Sequence, residues 1–180
     1  MISLHTGDAA GTRALGEAVA RLLQPGDVLL LIGSLGAGKT TFVQGLARGL
    51  GYEGDVTSPT FMLCQRYPAR LDLVHVDLWR LDRTSEVLDL GLDEELEEGS
   101  VVAAEWGEGA ESLLGDDALV IRIEAGASDG AGCGEAGRGE AGEAGEAGGA
   151  GDGRDVIFEP RGRWCERAGE LAAIVAEVAA

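Results

Sequence analysis

Eight residues, Gly33-Ser34-Leu35-Gly36-Ala37-Gly38-Lys39-Thr40, spell G-x-x-x-x-G-K-[ST]. An apolar run, Val28-Leu29-Leu30-Leu31-Ile32, leads straight into Gly33 and reads as a buried strand, and residues 41–47 carry helical apolar spacing. Strand, glycine loop and helix N-terminus in that order constrain the chain to an α/β fold that holds a phosphate chain. Glycines let successive backbone N–H groups turn toward phosphate oxygens, and the helix dipole adds favourable potential. In this arrangement Lys39 reaches the β- and γ-phosphates and the Thr40 hydroxyl ligates Mg²⁺.

The 180 residues suit one domain with a sizeable core. With 14 basic against 32 acidic residues the net charge is −18, which argues against direct capture of nucleic-acid phosphates. Any RNA is expected to be held by a partner. Cys64, Cys133 and Cys165 are odd in number and lack C-x-x-C spacing, so neither a disulfide framework nor a zinc site is expected, in keeping with a reducing cytosol. The first residues lack the basic and apolar regions of a signal peptide, and no run approaches the roughly eighteen apolar residues of a membrane span. A soluble, cytoplasmic protein is expected.

Along the chain, residues 12–23 form one amphipathic helical stripe and 54–60 a loop. Strands are expected over 61–67, 71–77, 101–105, 118–124 and 155–159, and an amphipathic helix from Arg167. Residues 82–98 read as helical and acidic, eight carboxylates against Arg83. Residues 126–153 hold 12 Gly and 7 Ala among 28 positions, with GEAG four times. Such a tract buries almost nothing and is expected to be a disordered insertion tolerated in a hairpin of the single 1–180 domain.

In a mostly parallel sheet, ligands sit at the carboxyl ends of strands. Two apolar strands end there on an acid, Asp77 and Glu105, as a Mg²⁺-assisted NTPase requires. The pattern leaves either acid as the direct metal ligand. Thr60, in Thr57-Ser58-Pro59-Thr60, can offer a hydroxyl to metal or to an attacking water, although Pro59 also suits a purely structural turn. Trp106 follows Glu105 and is expected on the opposite side of the strand end, covering a nucleotide, meeting a partner or packing. His75, two residues before Asp77, is expected to be a satisfied neighbour outside the mechanism, and Trp79 to be core or rim.

With these pieces together, the sequence resembles the TsaE (YjeE) family of bacterial tRNA threonylcarbamoyladenosine (t6A) biosynthesis. The resemblance rests on LGAGKTTF (35–42), SPTF (58–61), HVDLWRL (75–81), AEW (104–106) and Leu90-Gly91-Leu92, and covers about residues 5–125. It implies a small single-domain P-loop ATPase, a mostly parallel sheet flanked by helices with a C-terminal antiparallel hairpin, that binds ATP and Mg²⁺ and is weakly active alone. It further implies partnership with TsaD and TsaB, resetting between turnovers a transferase that modifies adenosine 37 of tRNA. Carried over by position, Lys39 and the backbone of Gly36, Ala37, Gly38, Lys39, Thr40 and Thr41 hold the phosphates, Thr40 and Glu105 match the family's metal residues and Asp77 its Walker-B-like acid. Thr60 matches its switch threonine and Trp106 its tryptophan, while Asp8-Ala9 fall near the adenine. Two features depart from the family. Ser34 stands where an acid is usual, and the 126–153 tract exceeds the usual hairpin turn.

Three other readings compete. A small-molecule kinase needs basic lid residues, which the acidic 82–98 stretch disfavours. A GTPase needs N-K-x-D, which the sequence lacks. A nucleotide-dependent docking module, with incidental hydrolysis, is the third.

Overall fold

Strands covered on both faces show no polar alternation, only unbroken apolar runs, and three such runs form the centre of the sheet. The computed structural model describes residues 2–79, 81, 84–107, 110–126 and 153–179, with 84 and 85 by backbone alone. In chain order the elements are β1 (Ile2–Thr6), α1 (Ala9–Ala20), β2 (Val28–Ile32), α2 (Lys39–Leu50), β3 (Cys64–Tyr67) and β4 (Leu73–Asp77). There follow α3 (Thr84–Leu88), α4 (Leu92–Glu97), β5 (Val101–Glu105), α5 (Glu111–Leu114), β6 (Ala118–Ala125), β7 (Arg154–Pro160) and α6 (Ala168–Ala179). Every residue of β2, β4 and β5 is buried.

The seven strands run in the order β1-β7-β6-β2-β5-β4-β3. The central four, β6-β2-β5-β4, are parallel, and both flanks are antiparallel: β7 and β1 on one side, β3 on the other. Successive side chains of a strand point to opposite faces, so the sheet has two cores. Leu29, Leu31, Leu73, Val101 and Ala103 pack with Leu15 and Val19 of α1, Val43 and Leu46 of α2, and Leu171 and Val175 of α6. Val28, Leu30, Val74, Val76, Val102 and Ala104 pack with Val87, Leu92 and Ala110 around the three short helices. Arg167, just before α6, is tied to the buried Asp27 before β2 by two 2.7 Å hydrogen bonds.

This topology places the site. Parallel register sets Asp77 beside Glu105 and Leu31 beside Glu105. Both acids therefore end their strands next to the loop that follows β2.

Several boundaries differ from the sequence reading, α1 among them, which spans Ala9–Ala20 where residues 12–23 are expected. β1 was expected as no particular element; it pairs antiparallel with β7, Ile2 opposite Phe158, with Ile2, Leu4 and Thr6 alternating against exposed neighbours. The strand expected over 61–67 begins at Cys64, because the Met62 and Leu63 amides both bond to the Pro59 carbonyl, at 2.9 and 2.7 Å, and wind a turn. The acidic stretch expected over 82–98 is two helices rather than one. Gly91, at φ 68°, takes a left-handed turn between them; residues 82 and 83 lie outside the described residues. The tract expected to be disordered, 126–153, also lies outside them except at its ends, where the Gly126 amide donates to the Gly153 carbonyl at 2.9 Å.

Candidate nucleotide site

The loop between β2 and α2 turns on glycines. Gly33, at φ 154°, passes so close to β6 that a Cβ there would collide with the Ile123 carbonyl oxygen, and Gly38, at φ 107°, caps α2. No side chain caps α2, and its first turn holds no acid. The first amides of a helix have no intrahelical acceptor, so those of α2 are left for an anion. They open on a cleft of about 450 Å³. Of the residues singled out in the sequence, these line that cleft: Gly36 through Thr41 from the loop and α2, Thr60 from the 57–63 loop, and Asp77, Glu105 and Trp106 from the strand ends.

The two acids hold different partners. Glu105 is buried and its Oε1 accepts the Thr40 hydroxyl at 2.7 Å. The same oxygen lies 2.8 Å from Nε2 of His75, which is fully buried. Asp77, also buried, grips the loop instead. Its Oδ2 accepts from Thr60 Oγ1 at 2.6 Å and Ser58 Oγ at 3.1 Å, and its Oδ1 accepts from the Trp79 amide at 3.0 Å. Among the described residues no hydrogen bond joins Asp77 to Thr40. His75 is thus a neighbour of Glu105 rather than of Asp77, reaching diagonally from the position opposite Ala103.

Lys39 is not the exposed cation that a loop lysine suggests. It is 4 % exposed, and its Nζ donates to the carbonyls of Gly33 at 2.7 Å and Ser34 at 2.9 Å. The ammonium also lies 3.7 Å from the centroid of the Trp106 ring, within range of a cation–π attraction. Trp106 likewise departs from expectation. Its φ of 60° is left-handed, uncommon for a large residue, and swings the indole into the cleft with Glu105 instead of to the far side. The Trp79 ring leans on it at 4.2 Å and forms part of the rim.

The sequence profile of the family described as threonylcarbamoyl adenosine biosynthesis protein TsaE matches residues 6–131. The chain belongs to the TsaE family. It is 47 % identical over 123 residues to the tRNA threonylcarbamoyladenosine biosynthesis protein TsaE of Streptomyces coelicolor, covering 66 % of this chain and 82 % of that one. Identity to the TsaE of Treponema pallidum is 43 % over 115 residues, 64 % of this chain and 85 % of that one. The crystal structure of YdiB from Bacillus subtilis superposes with a TM-score of 0.70 at 31 % identity, over 96 % of this chain and 94 % of that one. The family works in t6A biosynthesis, and the fold is the α/β P-loop fold.

In this TsaE-family chain, one site residue was missing from the sequence reading. Arg154, the first residue of β7, donates from Nε to the Ala37 carbonyl at 2.9 Å and from a terminal nitrogen to that of Gly36 at 3.4 Å. It lines a small hollow on the other side of the loop with Ala9, Thr12 and Thr41. Ala9 therefore stands beside the loop, whereas Asp8 accepts the Gly11 amide at 2.8 Å and caps α1. Arg154 has no local motif; the pairing of β7 with β6 and β1 carries it to the loop.

The donor set suits magnesium and a triphosphate. Thr40, Ser58, Thr60, Asp77 and Glu105 present hard oxygens to one cleft, beside uncapped helix amides and a lysine. Mg²⁺ is held by one or two protein oxygens plus phosphate and water rather than by a full protein cage. Among the described residues no three His, Cys, Asp or Glu side chains gather as such a cage. Thr40 with Glu105 would hold the ion, and Asp77 lies within the same cleft. No described helix is long and apolar enough to cross a membrane.

Proposed function

We propose that this chain binds and hydrolyses ATP with Mg²⁺ and, through that cycle, resets the TsaD–TsaB transferase between rounds of t6A formation at position 37 of tRNA in the cytoplasm. The observation that carries the reading is the 2.7 Å bond between Thr40 and Glu105 inside the loop cleft. It joins the hydroxyl that the P-loop pattern assigns to magnesium with a buried strand-end carboxylate. Magnesium, when bound, neutralises charge on the β- and γ-phosphate oxygens. The amides from Gly36 to Thr41 bind the phosphates, and Lys39 exchanges two carbonyl oxygens for phosphate oxygens. Glu105 serves the metal and orients the attacking water, and Thr60, held by Asp77, supplies a hydroxyl on the facing side. Trp106, released from Lys39, covers the bound nucleotide.

Partner dependence rests on what surrounds the mouth. Leu35 and Trp79, which line the cleft, are exposed, and so are Phe61 and Met62, which follow Thr60 in the chain. Large exposed apolar side chains concentrated near a site are the kind that mark an interaction surface. The net charge of −18 fits tRNA being held by TsaD and TsaB and not by this chain.

The same apolar mouth favours a second reading, a docking module whose hydrolysis is incidental. Multiple-turnover t6A formation with TsaD, TsaB and Glu105→Gln separates the two. Arrest after about one round supports the ATP-driven cycle, and repeated rounds without hydrolysis support docking alone.

A further inference from the structure

We propose that His75 is a positioning residue that fixes which oxygen of Glu105 serves the metal and water. The inference rests on the role assigned to Glu105 above. His75 is fully buried on β4, and its Nδ1 has no hydrogen-bond partner. A proton on Nδ1 would be a buried donor without an acceptor, costing about 1–3 kcal/mol. The proton therefore sits on Nε2, which donates to Glu105 Oε1. Thr40 donates to that same oxygen, and among the described residues no hydrogen bond takes Oε2. Two donors on one oxygen turn the other toward the cleft.

The donors are not equivalent. An ion that engages Thr40 takes an oxygen lone pair and leaves the proton, but it pulls on a side chain that is only half-buried and free to turn. His75 is fully buried between β3 and β5, and Glu105 Oε1 is its one hydrogen-bond partner among the described residues, with a second buried and unpartnered acceptor, Gln65 Oε1, at the paired position of β3. It holds Oε1 wherever Thr40 turns, so that Glu105 stays aimed by its second oxygen. Partners behind a metal ligand typically tune metal affinity or activity by about 10–100-fold.

The test compares His75→Met with His75→Gln. The two side chains share length and shape, but only glutamine carries an N–H at the reach of Nε2. ATP binding is followed by Trp79 and Trp106 emission, first in EDTA and then across a Mg²⁺ titration, with melting temperatures measured for each variant. The expected result is unchanged binding in EDTA for both. His75→Met should need about 10–100-fold more Mg²⁺ for its half-maximal effect, and His75→Gln should return close to the starting protein. If His75→Met does not fold, His75→Asn, whose shorter amide cannot reach Oε1, takes its place. Equal shifts in the donor and non-donor variants, or no shift in either, overturn the inference. Glu105→Gln in the same titration separates the two levels. Should it shift the Mg²⁺ requirement while the His75 variants do not, only the positioning role fails. Should it leave the requirement untouched, the role of Glu105 fails, and the inference with it.

Discussion

Replacing Glu105 by glutamine and by alanine separates the acid's chemistry from its place in a buried network. Glutamine keeps a carbonyl oxygen that can accept both from Thr40 and from His75, so its cost to stability should fall below about 1 kcal/mol. Alanine removes the acceptor. Thr40 is only half-buried and can turn to water, but the fully buried His75 is left with an unpaired N–H, worth about 1–3 kcal/mol. At about 2–4 °C per kcal/mol for a chain of this size, Glu105→Ala should melt roughly 2–12 °C lower, and Glu105→Gln close to the starting protein. Both should lose ATP hydrolysis by about 10²–10⁴-fold, the usual range for a positioned acid–base group. Thermal melts by circular dichroism and phosphate-release assays read the two effects separately. If Glu105→Ala melts like the starting protein, Glu105 is not the acceptor that satisfies His75. Unchanged hydrolysis in the glutamine variant would remove the carboxylate from the chemistry.

The remaining predictions concern the frame that holds the site. Arg167 and Asp27 form a buried bidentate pair, with the guanidinium also on the Leu22 carbonyl and 3.9 Å from the Trp164 ring centroid. Arg167→Met strands a buried carboxylate and should cost about 3–5 kcal/mol in urea unfolding, whereas adding Asp27→Leu should recover most of it; a single variant as stable as the double would contradict this. Glu159 is held below its ordinary value of 4.5 chiefly by the hydrogen bond from Arg122, despite an opposing cost of burial, and also by Arg161. Its contribution is full above its unfolded pKa and disappears as pH falls through the lower folded value. Glu159→Gln should therefore flatten the acid limb of the stability curve below about pH 4.5, and an unaltered limb would count against the pairing. Because Gly126 and Gly153 are already hydrogen-bonded, deleting 128–151 shortens a closed loop. Loop entropy then favours the shorter chain by about 1–2 kcal/mol, and a melting temperature that drops would show that the tract belongs to the folded core.

What the sequence makes legible here is chemistry that is local. The loop from Gly33 to Thr40 needs only its neighbours in sequence, and Val28–Ile32, Leu73–Asp77 and Val101–Glu105 betray themselves by unbroken apolar character. The positions hidden from the sequence are set by contacts far along the chain. Trp106 turns into the cleft through a left-handed backbone that its residue type disfavours, so alternation along the strand misplaces it. Lys39 is buried because an aromatic from β5 closes over it. Arg154 reaches the loop across 117 residues, and β1 is short and at the sheet edge, with only three alternating residues to announce it. His75 was legible as a satisfied histidine, but the parallel register that gives it Glu105 instead of Asp77 was not.

If this chain holds ATP in its P-loop to drive t6A turnover, that turnover depends on Lys39. The most direct measurement is multiple-turnover t6A formation on tRNA, with TsaD, TsaB and threonylcarbamoyl-adenylate supplied, comparing this protein with a folded Lys39→Ala form. Turnover that continues with the intact protein and stalls with Lys39→Ala is the predicted result. Equal turnover with the variant, or with no protein added, would contradict it.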